Sequence, residues 1–275
     1  MSKLASHPSK APAVIYRYLP MRPDAIDLIR HGRLWFSSPL RFNDPFDFLP
    51  IFSHKIATVV DQSREETYWT DPSIRVSRSA FLSQTQPLRD RCIHEMCHKE
   101  RTNFLKSLAK HFAVACFSEI PDSILMWSHY ASFHTGLCIG IRPEKMALAP
   151  EMALRWKVQY DDERLPLEHP NLAEIALRKA TVWDYEREWR VVMATSDLTS
   201  GMRPLPRHPK KPRSESGRFL KLQWDAFESV RFGALVQPRM RSAIIKDLRE
   251  PPRHHIKMVQ MHLADSTFAL DSEYL

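Results

Sequence analysis

Phe112-Ala113-Val114-Ala115-Cys116-Phe117 is a continuous apolar run, and Gly136-Leu137-Cys138-Ile139-Gly140-Ile141 is a second, with residues 122–132 at helical spacing between them. Short apolar runs bounded by turn residues are the pattern of strands buried on both faces. Outward from this pair, residues 14–18 and 33–37 are β-prone. Residues 23–31 between them carry Ile26 and Ile29 at helical spacing, with Gly32 as a C-terminal stop. Downstream, residues 156–160, 188–193, 219–222, 229–236 and 255–261 read as strands, and 172–180 and 240–248 as helices. Helices fall irregularly between strands, which does not fit a strict βαβ repeat. The expectation is an α+β fold: a mixed, mainly antiparallel sheet with flanking helices.

At 275 residues the chain lies near the upper limit for one hydrophobic core. We expect a single domain over 14–275 with a disordered N-terminus at 1–13. Residues 55–110 lack any period of two but keep Phe104, Leu105, Leu108 and Ala109 at helical spacing, and read as a helical insertion. Pro204, Pro206, Pro209 and Pro212 make 203–217 a loop. Apolar residues make up 43%, too many for general disorder. No segment approaches the ~20 apolar residues that span a bilayer, and no leader-like stretch opens the chain, so no membrane partner and a cytoplasmic location are expected. Four cysteines do not make a disulfide framework in a chain of this size and read as reduced thiols.

The net charge is +8, but it is concentrated: residues 203–221 hold seven basic side chains against one acid, Glu215. Such a stretch suits a phosphate backbone, so nucleic acid through 203–221 is one expected partner; a solvated charge run is the structural alternative. The six glycines form neither a Rossmann nor a P-loop pattern.

Trp183-Asp184-Tyr185-Glu186-Arg187-Glu188-Trp189-Arg190-Val191-Val192 carries the densest chemistry. If extended, it puts Glu186, Glu188 and Arg190 on one face and Trp189 and Val191 on the other. Its bland counterpart is an edge strand with a solvated, self-paired face. On a continuous helix, Trp127, Tyr130 and His134 would share a face, either stacking on a ligand base or facing the core. The turn at Phe42-Asn43-Asp44-Pro45-Phe46-Asp47 carries side chains that bond their own backbone. His94-Glu95-Met96-Cys97-His98 matches the H-E-x-x-H pattern of zinc hydrolases, but its flanks (Arg89, Asp90, Arg91, Lys99, Glu100, Arg101) are charged where a zinc helix needs apolar neighbours. No metal ligand is therefore assigned, and a zinc hydrolase stays a third reading.

Taken in order, Ile15-Tyr16-Arg17-Tyr18, Leu34 to Pro39 with Phe42 to Asp47, Cys116-Phe117-Ser118, Leu125 to Tyr130 with His134-Thr135-Gly136, and Trp183 to Arg190 resemble the motifs of the family catalogued as domain of unknown function 2971. The resemblance runs from about residue 14 to 240. The family's layout is in turn similar to the ADP-ribosyltransferase fold, a weaker and separate resemblance. That similarity implies NAD as co-substrate, with Tyr16 and Arg17 as the first binding element, Ser118 as the second, Glu188 as the catalytic carboxylate and Glu186 completing a Glu-x-Glu pair. Trp127, His129, Tyr130 and His134 would complete the cofactor site. The expected activity is ADP-ribose transfer or NAD hydrolysis, and the alternative is a non-catalytic nucleic-acid-binding or interaction protein.

Overall fold

The computed structural model describes residues 12–51, 98–146, 153–166, 172–206 and 214–275. Thirteen strands occur in them: β1 Ile15–Leu19, β2 Arg33–Phe36, β3 Phe112–Ser118, β4 Leu137–Ile141, β5 Ala153–Lys157, β6 Gln159–Tyr160, β7 Arg178–Lys179, β8 Glu188–Ala194, β9 Thr199–Pro204, β10 Ser214–Lys221, β11 Phe227–Phe232, β12 Lys257–Leu263 and β13 Leu270–Tyr274. Eight form one sheet, in the order β13-β12-β11-β4-β1-β3-β8-β5. All its pairings are antiparallel except β11 with β12. The fold is thus α+β with a mixed, mainly antiparallel sheet, as expected. A smaller sheet, β2-β10-β9, packs beside it.

The two apolar runs are central strands. Leu137, Cys138, Ile139 and Ile141 of β4 are fully buried between β1 and β11, and burying each large aliphatic chain contributes roughly 1.5–3 kcal/mol. The helix Pro23–His31 begins with Pro at its first turn and presents Ala25, Leu28 and Ile29 to the core. It stops at Gly32, which adopts φ +64 and donates its N–H to the Leu28 carbonyl. A Cβ at Gly32 would meet the Leu222 carbonyl oxygen at 2.7 Å, so glycine is required there for space as well as conformation. The parallel β11–β12 pair is joined across the helix Pro238–Arg249, whose Ile244 and Leu248 are buried, because a parallel connection needs a crossover.

Three expectations change. Thr181–Glu186 is a 3-10 helix and not strand, and strand begins only at Glu188, after Arg187 at φ +43. The 172–180 helix ends at Ala176 and is followed by β7. The basic Pro-rich segment is not wholly loop: β9 and β10 pair antiparallel from Thr199–Phe219 to Pro204–Ser214, so 203–204 and 214–217 lie in a hairpin. Residues 207–213 of that segment, most of the 55–110 insertion and the N-terminus to residue 11 lie outside the described residues. The insertion's last part, 98–111, is helical. No helix among the described residues is long and apolar enough to cross a membrane.

Candidate functional site

Only one residue pair, Tyr16 with Ser118, joins β1 to β3. Further along β3, Val114 exchanges both backbone hydrogen bonds with Ser37 instead, and the Arg17 guanidinium donates to the Cys116 carbonyl at 2.5 Å. Where neighbouring strands part in this way, side chains and not backbone fill the gap. A cleft of about 570 Å³ opens there, lined on its β1 side by Tyr16, Arg17 and Tyr18, with Tyr130, Glu186 and Glu188 also in its wall.

The inner end of the cleft is a buried charge cluster. Arg190, fully buried, donates from Nε and Nη2 to the two Glu188 oxygens at 2.8 and 3.0 Å. It also donates from Nη1 and Nη2 to the Asp47 oxygens at 2.7 and 2.8 Å, and to the Ala176 carbonyl at 2.7 Å. Phe48 lies under the same guanidinium, 4.8 Å from its ring centre. Lys179 bridges Glu186 at 2.5 Å and Glu188 at 3.0 Å. Buried charges persist only when paired and hydrogen-bonded, and these are.

Three carboxylates face two cations in this cluster, so the charges do not cancel. Burial alone would raise Glu188, but Arg190 and Lys179 outweigh it and hold that carboxyl well below the usual range. Glu186 moves the other way, pushed up by burial, with the Glu188 charge adding to it. Lys179 is raised because the Glu188, Glu186 and Asp47 carboxylates overcome its own burial. The Tyr130 hydroxyl donates to Glu186 Oε1 at 2.5 Å and accepts from Asn43 at 3.2 Å. Glu188 is therefore a fixed anion, whereas burial pushes both Glu186 and Asp47 up.

At the outer end the lining is basic. Arg17, Arg22, Arg41 and Arg203 all border the cleft, against Asp24. Arg203 pairs with Asp24 at 2.5 Å and Arg41 with Glu215, yet the Nε atoms of Arg17 and Arg203 are buried without a partner among the described residues. Burial lowers the Arg17 pKa, with the Arg203 charge adding to it.

Several residues singled out from the sequence meet here. Tyr16, Arg17, His129, Tyr130, Glu186 and Glu188 all line the cleft. Along the sheet, Tyr16 pairs with Ser118 and Ser118 with Glu188, a single cross-strand row. Glu188 and Arg190 share a face as alternation requires, and neither is solvated: Glu186, Glu188 and Arg190 are 3%, 3% and 0% exposed, which removes the edge-strand reading. Glu186 reaches the cluster from the 3-10 turn and not by strand periodicity.

Three others lie outside the cleft lining. Ser118 is fully buried; its hydroxyl donates to the Glu186 carbonyl at 2.7 Å and accepts from the Ile120 N–H, so it fastens the turn that carries Glu186. Trp127 is fully buried, edge-on to Tyr18 at 5.4 Å, with its indole N–H on the Pro121 carbonyl. His134 pairs with Ser128 at 3.1 Å and stacks on Trp127. The shared helical face of Trp127, Tyr130 and His134 fails because the helix ends at Tyr130, and Ser132, Phe133 and His134 all take positive φ. His94 and Glu95 lie outside the described residues, and His98 is exposed on the 98–111 helix.

The sequence reading missed Asp47 and Lys179. Asp47 sat in a turn whose side chains were assigned to local bonds, a role that Asp44 fills by accepting from the Phe46 N–H at 2.8 Å. Lys179 carried no local signal at all, since its partners are set by β7 lying against the 3-10 turn. No curated protein and no solved structure matches the chain. Residues 126–191, which include Tyr130, Lys179, Glu186, Glu188 and Arg190, match the model of the family described as Protein of unknown function (DUF2971), the family that the ordered motifs resemble.

Proposed function

We propose that the chain binds NAD in this cleft and breaks its nicotinamide–ribose bond, either hydrolysing the dinucleotide or passing ADP-ribose to an acceptor. The observation that carries the reading is the charge pairing in one cleft: its lining joins arginines whose Nε has no partner among the described residues to a carboxylate-rich buried cluster. Guanidinium groups make paired hydrogen bonds to phosphate oxygens, which suits Arg17 to the pyrophosphate. Cleavage of the glycosidic bond develops positive charge on the ribose, and preorganised negative charge stabilises it. Glu188, kept ionised by Arg190 and Lys179, supplies that charge without reorganising. Glu186 Oε1 takes one bond from Tyr130, and a carboxylate oxygen has a second lone pair free to accept a ribose hydroxyl. Tyr16 and Tyr130 offer ring faces to the base.

Nicotinamide release from NAD is the test, in wild type and in Glu188→Gln and Glu186→Gln variants shown by circular dichroism to be folded. We expect release to fall by at least about a hundredfold in Glu188→Gln. No release by the wild type, with water, protein or nucleic acid offered as acceptor, ends the enzymatic reading. The competing reading, a phosphate-backbone binder using 203–221, is supported by Arg203 standing at the mouth of the same cleft. The two are compatible if nucleic acid is the acceptor.

A further inference from the structure

Beside the cleft lies a second hollow of about 220 Å³, and Ser37, Arg41 and Arg203 border both. Among the described residues that line it, the charged ones are Arg41, Lys110, Arg203, Arg218 and a single acid, Glu215. They converge from distant parts of the chain: Lys110 from the end of the 98–111 helix, Arg203 from β9 and Arg218 from β10. Glu215 is taken by Arg41, and Asp24 by Arg203. The excess charge of the hollow is therefore positive, and the buried Arg203 Nε has no acceptor among the described residues. A cavity with several convergent cations and a single, already paired acid selects a compact polyanion, for which a phosphate group has the right oxygen count.

We propose that this hollow is a phosphate subsite, occupied by a phosphate group carried on the ligand of the adjoining cleft. The carrier has two sources of the same chemistry: a phosphate on the dinucleotide's ribose, as in NADP, or a phosphate of a nucleic-acid acceptor. Which carrier applies rests on the NAD reading of the cleft; the subsite itself does not.

Lys110 and Arg218 border the hollow but not the cleft, and both are exposed, so a Lys110→Gln/Arg218→Gln variant alters the subsite with little effect on folding. Calorimetric titration of the full chain with pyrophosphate, run also on Arg17→Gln so that binding in the cleft is told apart, tests the subsite. We expect the variant to bind it roughly tenfold or more weakly, the scale of losing charge-assisted contacts; equal affinity in the two proteins overturns the proposal. NAD against NADP, and an oligonucleotide with and without a 5′ phosphate, assign the carrier. The added phosphate should tighten binding to the wild type about tenfold for one of these pairs, and the margin should vanish in the variant. A margin that persists unchanged in the variant also overturns the subsite. Loss of pyrophosphate affinity in the variant, with no NAD binding to either protein, removes the dinucleotide reading of the cleft and supports the subsite alone.

Discussion

The inner and outer ends of the cleft use the same side-chain types to opposite ends. Inside, Arg190 makes five hydrogen bonds to Glu188, Asp47 and Ala176, and Lys179 bridges two carboxylates. All five N–H donors of Arg190 are taken up by the protein. Among the described residues, Arg17 donates to the Cys116 carbonyl and lies over the Phe117 ring, Arg203 pairs with Asp24, and both keep an unpartnered Nε. A fully paired guanidinium locks geometry and leaves the carboxylates it fixes facing the cleft, whereas an arginine with fewer partners keeps donors available. We read the inner cluster as the device that fixes Glu186 and Glu188, and the outer arginines as the surface that grips.

That contrast breaks most readily at Arg190. Arg190→Met leaves Asp47 and Glu188 buried without their guanidinium, and the unfolding free energy should drop by about 3–5 kcal/mol in urea titrations; a change near zero would mean that the cluster is not what holds this end together. Next in size is the acid limb of stability. Glu188 has a folded pKa below its unfolded value, so its contribution is present above the ordinary glutamate pKa of about 4.3 and is lost as pH falls through the lower folded value. Glu188→Gln should cost on the order of 2–3 kcal/mol at pH 7, and the gap to wild type should narrow below about pH 4. A gap independent of pH would show that Glu188 is not held as a fixed anion.

At the outer end the expected signature is reversed. Arg17→Gln should weaken NAD binding by roughly ten- to hundredfold in calorimetry while moving the urea midpoint far less than Arg190→Met does. Equal losses of stability in the two variants would erase the distinction. The smallest effect belongs to the Arg41–Glu215 pair, where Arg41 is 54% exposed: Glu215→Gln should change stability by under about 1 kcal/mol, read from thermal unfolding.

Strands with strong apolar runs were legible because their burial is local: β3 and β4 have few polar side chains and nowhere else to go. The helix Pro23–His31 was legible for a similar reason, with Pro at its start, Gly after its end and one apolar face. The Trp183–Glu186 turn was not, since its aromatics and alternating charges mimic a strand, and the 3-10 turn they form is fastened from a distant strand by the Ser118 hydroxyl. Trp127 and Tyr130 show the same limit in one helix: spacing groups them, but Trp127 is buried against Tyr18 while Tyr130 turns to Glu186.

Composition and periodicity were enough to determine an α+β sheet with its buried central strands and the alternation that puts Glu188 and Arg190 on one face, while the order of motifs carried the family resemblance. Side-chain spacing along one chain acts over a few residues, so it carries those features. Asp47 meets Lys179 and Arg190 across a large sequence separation, and where β1 parts from β3 it is Ser37 that takes the backbone of Val114. Charge pairing and strand separation depend on distance in space, and that distance was decided by the tertiary structure.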